Sequence, residues 1–174
     1  MASTGSIQTR LVLLRGPSGS GKSSTARAVR ERLGRGVAWV EQDHLRRILL
    51  REWDVRGGVN IGLIDTTVRY CLDAGYHVVL EGVLVARHYG DMLTRLIADH
   101  RGRTCCYHFV VPFEETVRRH ATRRQAAEFT PEEMRAWYVE RDLLPGDVET
   151  VIPAEHSLAE TVEQVLRDLA LPHP

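Results

Sequence analysis

The chain has 174 residues, 43% hydrophobic and 26% charged, with 23 Lys plus Arg set against 23 Asp plus Glu and a formal net charge of zero. That length fits one domain with a sizeable core, and a balanced charge without a basic block argues against a large nucleic-acid footprint. No apolar run approaches membrane-spanning length, so no membrane partner is expected.

Residues 1–9 are polar, lack an apolar leader core and are expected to be flexible, leaving 10–174 as a single domain. Residues 11–14, Leu-Val-Leu-Leu, are short and apolar enough for a buried strand. Gly16-Pro17-Ser18-Gly19-Ser20-Gly21-Lys22-Ser23 follows and reads G-x-x-x-x-G-K-S, the phosphate-binding P-loop pattern. A helix-like run over 24–33 then stops at Gly34, so the motif has the strand–loop–helix setting it requires. Residues 37–41 form a second strand, and Asp43 opens a charged helix over 44–52. A loop with a Gly57-Gly58 breaker covers 53–60. Ile61, Ile64, Val68 and Leu72 recur at helical spacing up to Gly75.

Residues 76–80 are a third strand closed by Glu81-Gly82, followed by a helix over about 88–100 with Met92, Leu93, Leu96 and Ile97 on one face. Strand four covers 104–111, where the adjacent Cys105 and Cys106 must point to opposite faces. With Cys71 they read as small core residues of a reducing, cytoplasmic setting, without metal-ligand spacing. An arginine-rich helix spans 113 to about 124. Thr130-Pro131-Glu132-Glu133 is a capping box that starts a helix to about 143. Residues 149–152 are a short fifth strand, and Ser157-Leu158-Ala159-Glu160 caps a final amphipathic helix to about 170.

Strands alternating with helices predict an α/β fold, a parallel sheet with helices on both faces. Ligands of such folds sit beyond the carboxyl ends of the strands. The P-loop, Asp43, Glu81, Pro112 and Pro153 all fall on that rim. Glycines allow the loop to curl its N–H groups around a polyphosphate, and the helix behind it, opening at Ser23 and Ser24, aims its positive end at the same anion. Lys22 is the only lysine in the chain. It would neutralise the β/γ-phosphates of ATP or GTP, while the Ser23 hydroxyl would ligate Mg²⁺.

Asp43 stands where a phosphotransferase needs a carboxylate to take the acceptor proton; as an alternative it caps the next helix. Glu81 occupies a Walker B-like position and would reach Mg²⁺ through water, bond the acceptor, or orient Ser23. Arg119 and Arg123 share a helix face and fit a lid over about 118–130 that closes on the triphosphate; a solvated helix face is the plainer reading. Arg46, Arg47, Trp53, Asp54, Asn60 and Asp65 flank the expected acceptor pocket, with Trp53 able to stack on a ring. His44, His77, His108, His120 and His156 show no metal-ligand spacing.

The P-loop, Asp43, Glu81-Gly82, the run Val110-Val111-Pro112-Phe113-Glu114-Glu115-Thr116 with Arg119 and Arg123 beyond it, and the closing segment from Pro153 to Val162 together resemble a small P-loop kinase. The resemblance is closest to the chloramphenicol-phosphotransferase-like group, with zeta toxins, adenylylsulfate kinase and gluconate kinase as relatives, and extends to nucleoside-antibiotic phosphotransferases of the capuramycin type. It implies a five-stranded sheet in the order 2-3-1-4-5 with a helical lid. It implies catalysis by Asp43, Lys22 and Arg123. It also implies a nucleotide held by Gly16, Ser18, Gly19, Ser20, Gly21, Lys22, Ser23 and Ser24, with Arg119 on the base and Pro153 and Glu155 bordering it. Arg46, Trp53, Asn60 and Glu81 would join Asp43 in binding the acceptor.

The function expected is transfer of a γ-phosphoryl group to a hydroxyl of a small molecule, favouring an antibiotic. A zeta-toxin-like or metabolic sugar or nucleotide-sugar kinase is the alternative. A nucleotide-binding switch module is the rival from another class, and it gives no reason for Asp43 or a Trp-bearing pocket loop.

Overall fold

The structure is a computed structural model that describes residues 3–121, 130–139 and 141–170. Its centre is a five-stranded parallel sheet in the order β2-β3-β1-β4-β5. The strands are β1 (Arg10–Arg15), β2 (Val37–Glu41), β3 (His77–Gly82), β4 (Arg103–Val110) and β5 (Glu149–Pro153). The parallel sheet is the one expected from the alternation of strands and helices, and its order is the one the resemblance to small P-loop kinases implies.

Side-chain alternation explains the two layers around the sheet. Leu11 and Leu13 of β1 face one core with Val78 and Leu80 of β3, while Val12 and Leu14 face the other. The first core is closed by α2 (Val59–Asp73), through Ile64, Val68 and Leu72, and by α3 (Ala86–Asp99), through Tyr89, Leu93 and Leu96. The second is closed by α1 (Lys22–Leu33), through Ala26 and Val29, and by α6 (Leu158–Leu169), through Val162, Val165 and Leu169. Cys105 and Cys106 fall in different cores, as alternation along a strand predicts, and all three cysteines are free thiols. No described helix is long and apolar enough to cross a membrane.

Four local expectations are corrected. The N-terminus is docked from Thr4 onward. Thr4 N–H donates to Asp99 O at 2.9 Å, its hydroxyl donates to Asp73 Oδ1 at 2.9 Å, and its carbonyl accepts from Arg101 N–H at 3.0 Å. These bonds pin the segment across the ends of α2 and α3.

The charged helix expected over 44–52 is a π-helical turn, His44–Leu49. It ends early because Glu52 is drawn away to the start of α2, accepting from Val59 N–H at 2.7 Å and Asn60 N–H at 2.8 Å. A carboxylate at uncapped helical N–H groups is favoured by the helix dipole. That capture also starts α2 at Val59, inside the stretch expected to be loop.

The capping-box helix α5 is shorter than expected. The box forms as read, with Thr130 and Glu133 reciprocally bonded, but α5 covers only Pro131–Trp137. Tyr138 turns extended there, and its hydroxyl donates to Val111 O at 2.9 Å. The arginine-rich helix α4 is described over Phe113–Ala121. Arg123, Arg124 and most of the expected lid lie outside the described residues.

Candidate active site

The site lies at the carboxyl ends of the strands. β1 ends at Arg15, and the chain turns through Gly16, which has φ 142° and is packed so closely on Phe109 that a Cβ would sit 2.6 Å from the Phe109 carbonyl. Only glycine allows that approach. The loop then feeds α1 from Gly21. The first turn of α1 carries no acidic residue and no side chain caps it, which leaves the helix's positive end open to an anion. Lys22 is buried, and its ammonium donates to Pro17 O at 2.7 Å and to Ser20 Oγ at 3.2 Å, which curls it over the loop. Gly16, Gly19 and Ser20 are buried, Ser18 and Ser23 partly so, and Ser24 is exposed.

Glu81 comes to the same place from β3, paired in register with Leu14 of β1. Ser23 Oγ donates to Glu81 Oε1 at 2.9 Å. Burial pushes the Glu81 carboxyl above its ordinary value, opposed by the Lys22 charge and the Ser23 hydrogen bond. Next to Glu81, Gly82 lies so close to the Gln42 side chain that a Cβ would collide with Gln42 Oε1. Gln42 thereby reaches past the strand end and accepts from Leu84 N–H at 2.9 Å.

Mg²⁺ favours hard oxygens and is commonly held by one or two protein groups together with substrate phosphates. The adjacent Ser23 hydroxyl and Glu81 carboxylate beside the P-loop fit that donor set. Among the described residues no cluster of His, Cys, Asp and Glu forms a self-sufficient metal cage.

Arg119 of α4 links the P-loop to the turn after β5. Its guanidinium approaches Ser20 O at 3.5 Å, donates to Ala154 O at 3.1 Å, and is anchored by Glu115 at 2.6 Å. Arg118 and Arg119 together hold the Glu115 carboxyl down to about 2. Pro153 is half-buried and Glu155 exposed on that turn.

On the other side of the loop lies a cavity of about 680 Å³, the size of a small-molecule site. Ser18 of the P-loop and Asp43 both line it, together with Arg46, Arg47, Trp53 and Trp137. The Asp43 side chain is 60% exposed, lies 2.9 Å from Arg46 Nη2 and 3.8 Å from Arg47 Nη1, and makes no helix-capping bond. Arg51 and Arg87 complete the cationic wall. Arg51 adopts φ 54°, a left-handed backbone that bulky side chains rarely take and that recurs at functional sites.

The cavity rests on a half-buried polar network. Asp54 accepts from Gln42 Nε2 at 3.3 Å and lies 3.1 Å from His88 Nδ1 and 3.0 Å from the Tyr89 hydroxyl. That hydroxyl is 2.8 Å from Asn60 Oδ1, and Asn60 Nδ2 donates to Glu52 at 3.0 Å. The Asn60 backbone and side-chain hydrogen bonds hold the Glu52 carboxyl below its ordinary value.

The structure therefore brings together Lys22, Ser23, Glu81, Asp43, Arg46 and Trp53. It corrects Asn60, which is fully buried and braces the cavity from behind without reaching it. It also corrects Asp65, which pairs with Arg69 along α2 at 2.9 Å. Gln42, Glu52, Arg51, Arg87, His88, Tyr89 and Trp137 were not singled out by the sequence. Only the Tyr89 position, inside an apolar helical stripe, carried a signal, and that signal reads as plain core.

Several solved structures share this fold. A gluconokinase from Sinorhizobium meliloti 1021 superposes with a TM-score of 0.65 at 20% identity, covering 98% of this chain and 94% of its own. The Mycobacterium tuberculosis APS kinase in complex with AMPPNP and APS gives 0.66 at 21%, covering 96% and 98%. A Deinococcus radiodurans tunicamycin resistance protein gives 0.59 at 17%, covering 94% and 97%. No curated protein matches the sequence. Residues 11–141, which carry the P-loop, Asp43, Glu81 and the cavity's arginines, match the AAA domain family AAA_33, and the chain belongs to that family.

Proposed function

We propose that the protein is a phosphotransferase that moves the γ-phosphoryl group of ATP or GTP to a hydroxyl of a small molecule. The observation that carries this reading is the shared wall between the P-loop and the 680 Å³ cavity, with Ser18 on one side and the Asp43 carboxylate exposed on the other. A phosphate donor at the loop and an alcohol in the cavity would meet beside Asp43.

In the reaction, the acceptor oxygen forms a bond to the γ-phosphorus as the bond from that phosphorus to the β,γ-bridging oxygen breaks. The hydroxyl proton passes to Asp43 and the nucleoside diphosphate leaves. Arg46 holds the Asp43 carboxylate in place. Lys22 and the N–H groups of the loop neutralise the polyphosphate, and Ser23 with Glu81 would hold Mg²⁺, which offsets charge on the phosphates when bound. Arg119 spans from the P-loop to the Pro153–Glu155 turn, where a nucleotide base would lie. Arg123 is proposed to add charge from the lid.

For the acceptor we favour an antibiotic, with a nucleoside or sugar-bearing scaffold. Support comes from the roomy, Trp-walled cavity and from the fold shared with the tunicamycin resistance protein. A switch module that only hydrolyses nucleotide would give no use for such a cavity.

The test is transfer of label from γ-labelled ATP and GTP to a panel of antibiotics, nucleosides and sugars, with products identified by mass. Lys22→Ala should abolish transfer. Near-normal turnover in that variant, or nucleotide hydrolysis without any phosphorylated product, would overturn the reading.

A further inference from the structure

Among the described residues, the cavity wall carries more arginines than carboxylates. Asp43, Glu52 and Asp54 stand there against Arg46, Arg47, Arg51 and Arg87. Each carboxylate is already engaged. Asp43 faces Arg46 and Arg47, Glu52 accepts from the first N–H groups of α2 and from the Asn60 amide, and Asp54 is held by Gln42, His88 and Tyr89. Arg51 and Arg87 are exposed, and among the described residues neither has a carboxylate partner. On the same cavity wall Trp53 leaves 84% of its surface open, far more than an indole ordinarily shows, with Trp137 beside the same space.

We propose that the cavity selects an acceptor bearing an oxyanion, a carboxylate or a phosphate, on a ring-containing scaffold, with Arg51 and Arg87 reading the anion and Trp53 the ring. This rests on the phosphotransferase reading above. A guanidinium presents a planar fork that matches either oxyanion. Two of them, with no carboxylate partner among the described residues and facing one cavity, favour an anionic ligand over its neutral isostere. The indole face takes the ring and excludes water beside the charges.

Three probes that differ in one group test this: 4-nitrophenyl β-glucoside, the matching glucuronide and the matching 6-phosphoglucoside. Their binding is measured by calorimetry with the P-loop saturated by MgADP, so that no probe anion is held there. Both charged probes, or one of them, should bind about tenfold or more tightly than the glucoside, the difference that one charge-assisted hydrogen bond commands. Which of the two does so tells carboxylate from phosphate.

Joint Arg51→Gln and Arg87→Gln should erase that preference and leave glucoside binding unchanged. Trp53→Ala should weaken all three probes alike. Equal binding of charged and neutral probes, a preference that survives loss of both guanidiniums, or no probe binding at all would overturn the proposal. MgADP binding is titrated separately. Its failure would strike the phosphotransferase reading; the anion preference is then decided by whether it disappears in the Arg51→Gln, Arg87→Gln variant, whose P-loop is unaltered.

Discussion

At the scale of single residues, Asp43 and Glu81 are two carboxyls of opposite setting on one rim. Asp43 is exposed and paired with Arg46; Glu81 is buried against Ser23 and Lys22. Because Asp43 caps nothing, Asp43→Asn should leave the fold and nucleotide affinity intact while lowering kcat by about 10²–10⁴-fold, the span for a lost general base. Stopped-flow transfer together with MgADP titration checks the split, and a matching loss of nucleotide affinity would count against it. Glu81 makes a statement about pH. A carboxyl whose folded value is raised holds its proton longer in the native state. Its contribution to stability is therefore present below the unfolded value and is lost as pH rises through the folded one. Glu81→Gln should thus gain thermal stability relative to wild type as pH climbs from the ordinary carboxylate range towards neutrality, while transfer activity falls. Parallel melting profiles for the two proteins across that range would refute it.

At the scale of elements, the cavity floor is a joint between the π-helical turn, the loop after it, α2 and α3. Tyr89 is its hinge pin, fully buried with its hydroxyl between Asp54 and Asn60. Tyr89→Phe leaves those partners short of a bond inside the protein and should cost about 1–3 kcal/mol of stability. It should raise the acceptor KM more than it shifts nucleotide affinity, because the loop carrying Arg51 and Trp53 loses its brace; equal changes in both would argue otherwise. Such joints also mark where sequence reading stops. The P-loop was legible because its chemistry is local: Gly16 to Ser23 lie on one turn, and β1 and α1 flank it. The strands were legible from alternation, as with Leu11 and Leu13 against Val12 and Leu14. The cavity was not, since Arg51, Arg87 and Trp137 converge from separate elements and no periodicity links them. Asn60 was misplaced for the same reason. A polar residue next to a Gly-Gly breaker reads as loop surface until Glu52 is seen capping α2 and drawing Asn60 inward. The early end of α5 is likewise a tertiary effect, set by Tyr138 on Val111.

At the scale of the whole molecule, a buried arginine ties the site rim to the far edge of the sheet. Arg15 is fully buried, donates to both Glu149 oxygens at 2.7 and 2.9 Å, to Asp142 Oδ2 at 2.9 Å, and to Leu84 O at 3.0 Å. Asp142 in turn accepts from Ala86 N–H at 2.6 Å, and Glu149 from Leu144 N–H at 2.6 Å, so β1, β5, α3 and the chain after α5 share one junction. Burial, with Arg15 alongside, pushes the His108 imidazole below its ordinary value. Breaking such a pair from one side strands a charge in the interior. Arg15→Met should therefore cost about 3–5 kcal/mol in urea unfolding, and adding Glu149→Gln should recover much of it; additive losses would show that the two side chains do not interact. The two adjacent free thiols on β4 have a different consequence. Cys105 and Cys106 are chain neighbours that look into separate interiors, one beneath α1 and α6 and the other beneath α2 and α3. They are two gauges planted on a single strand. A reagent that reaches either sulfur records the breathing of its own half alone, so the molecule carries built-in witnesses to which half loosens first.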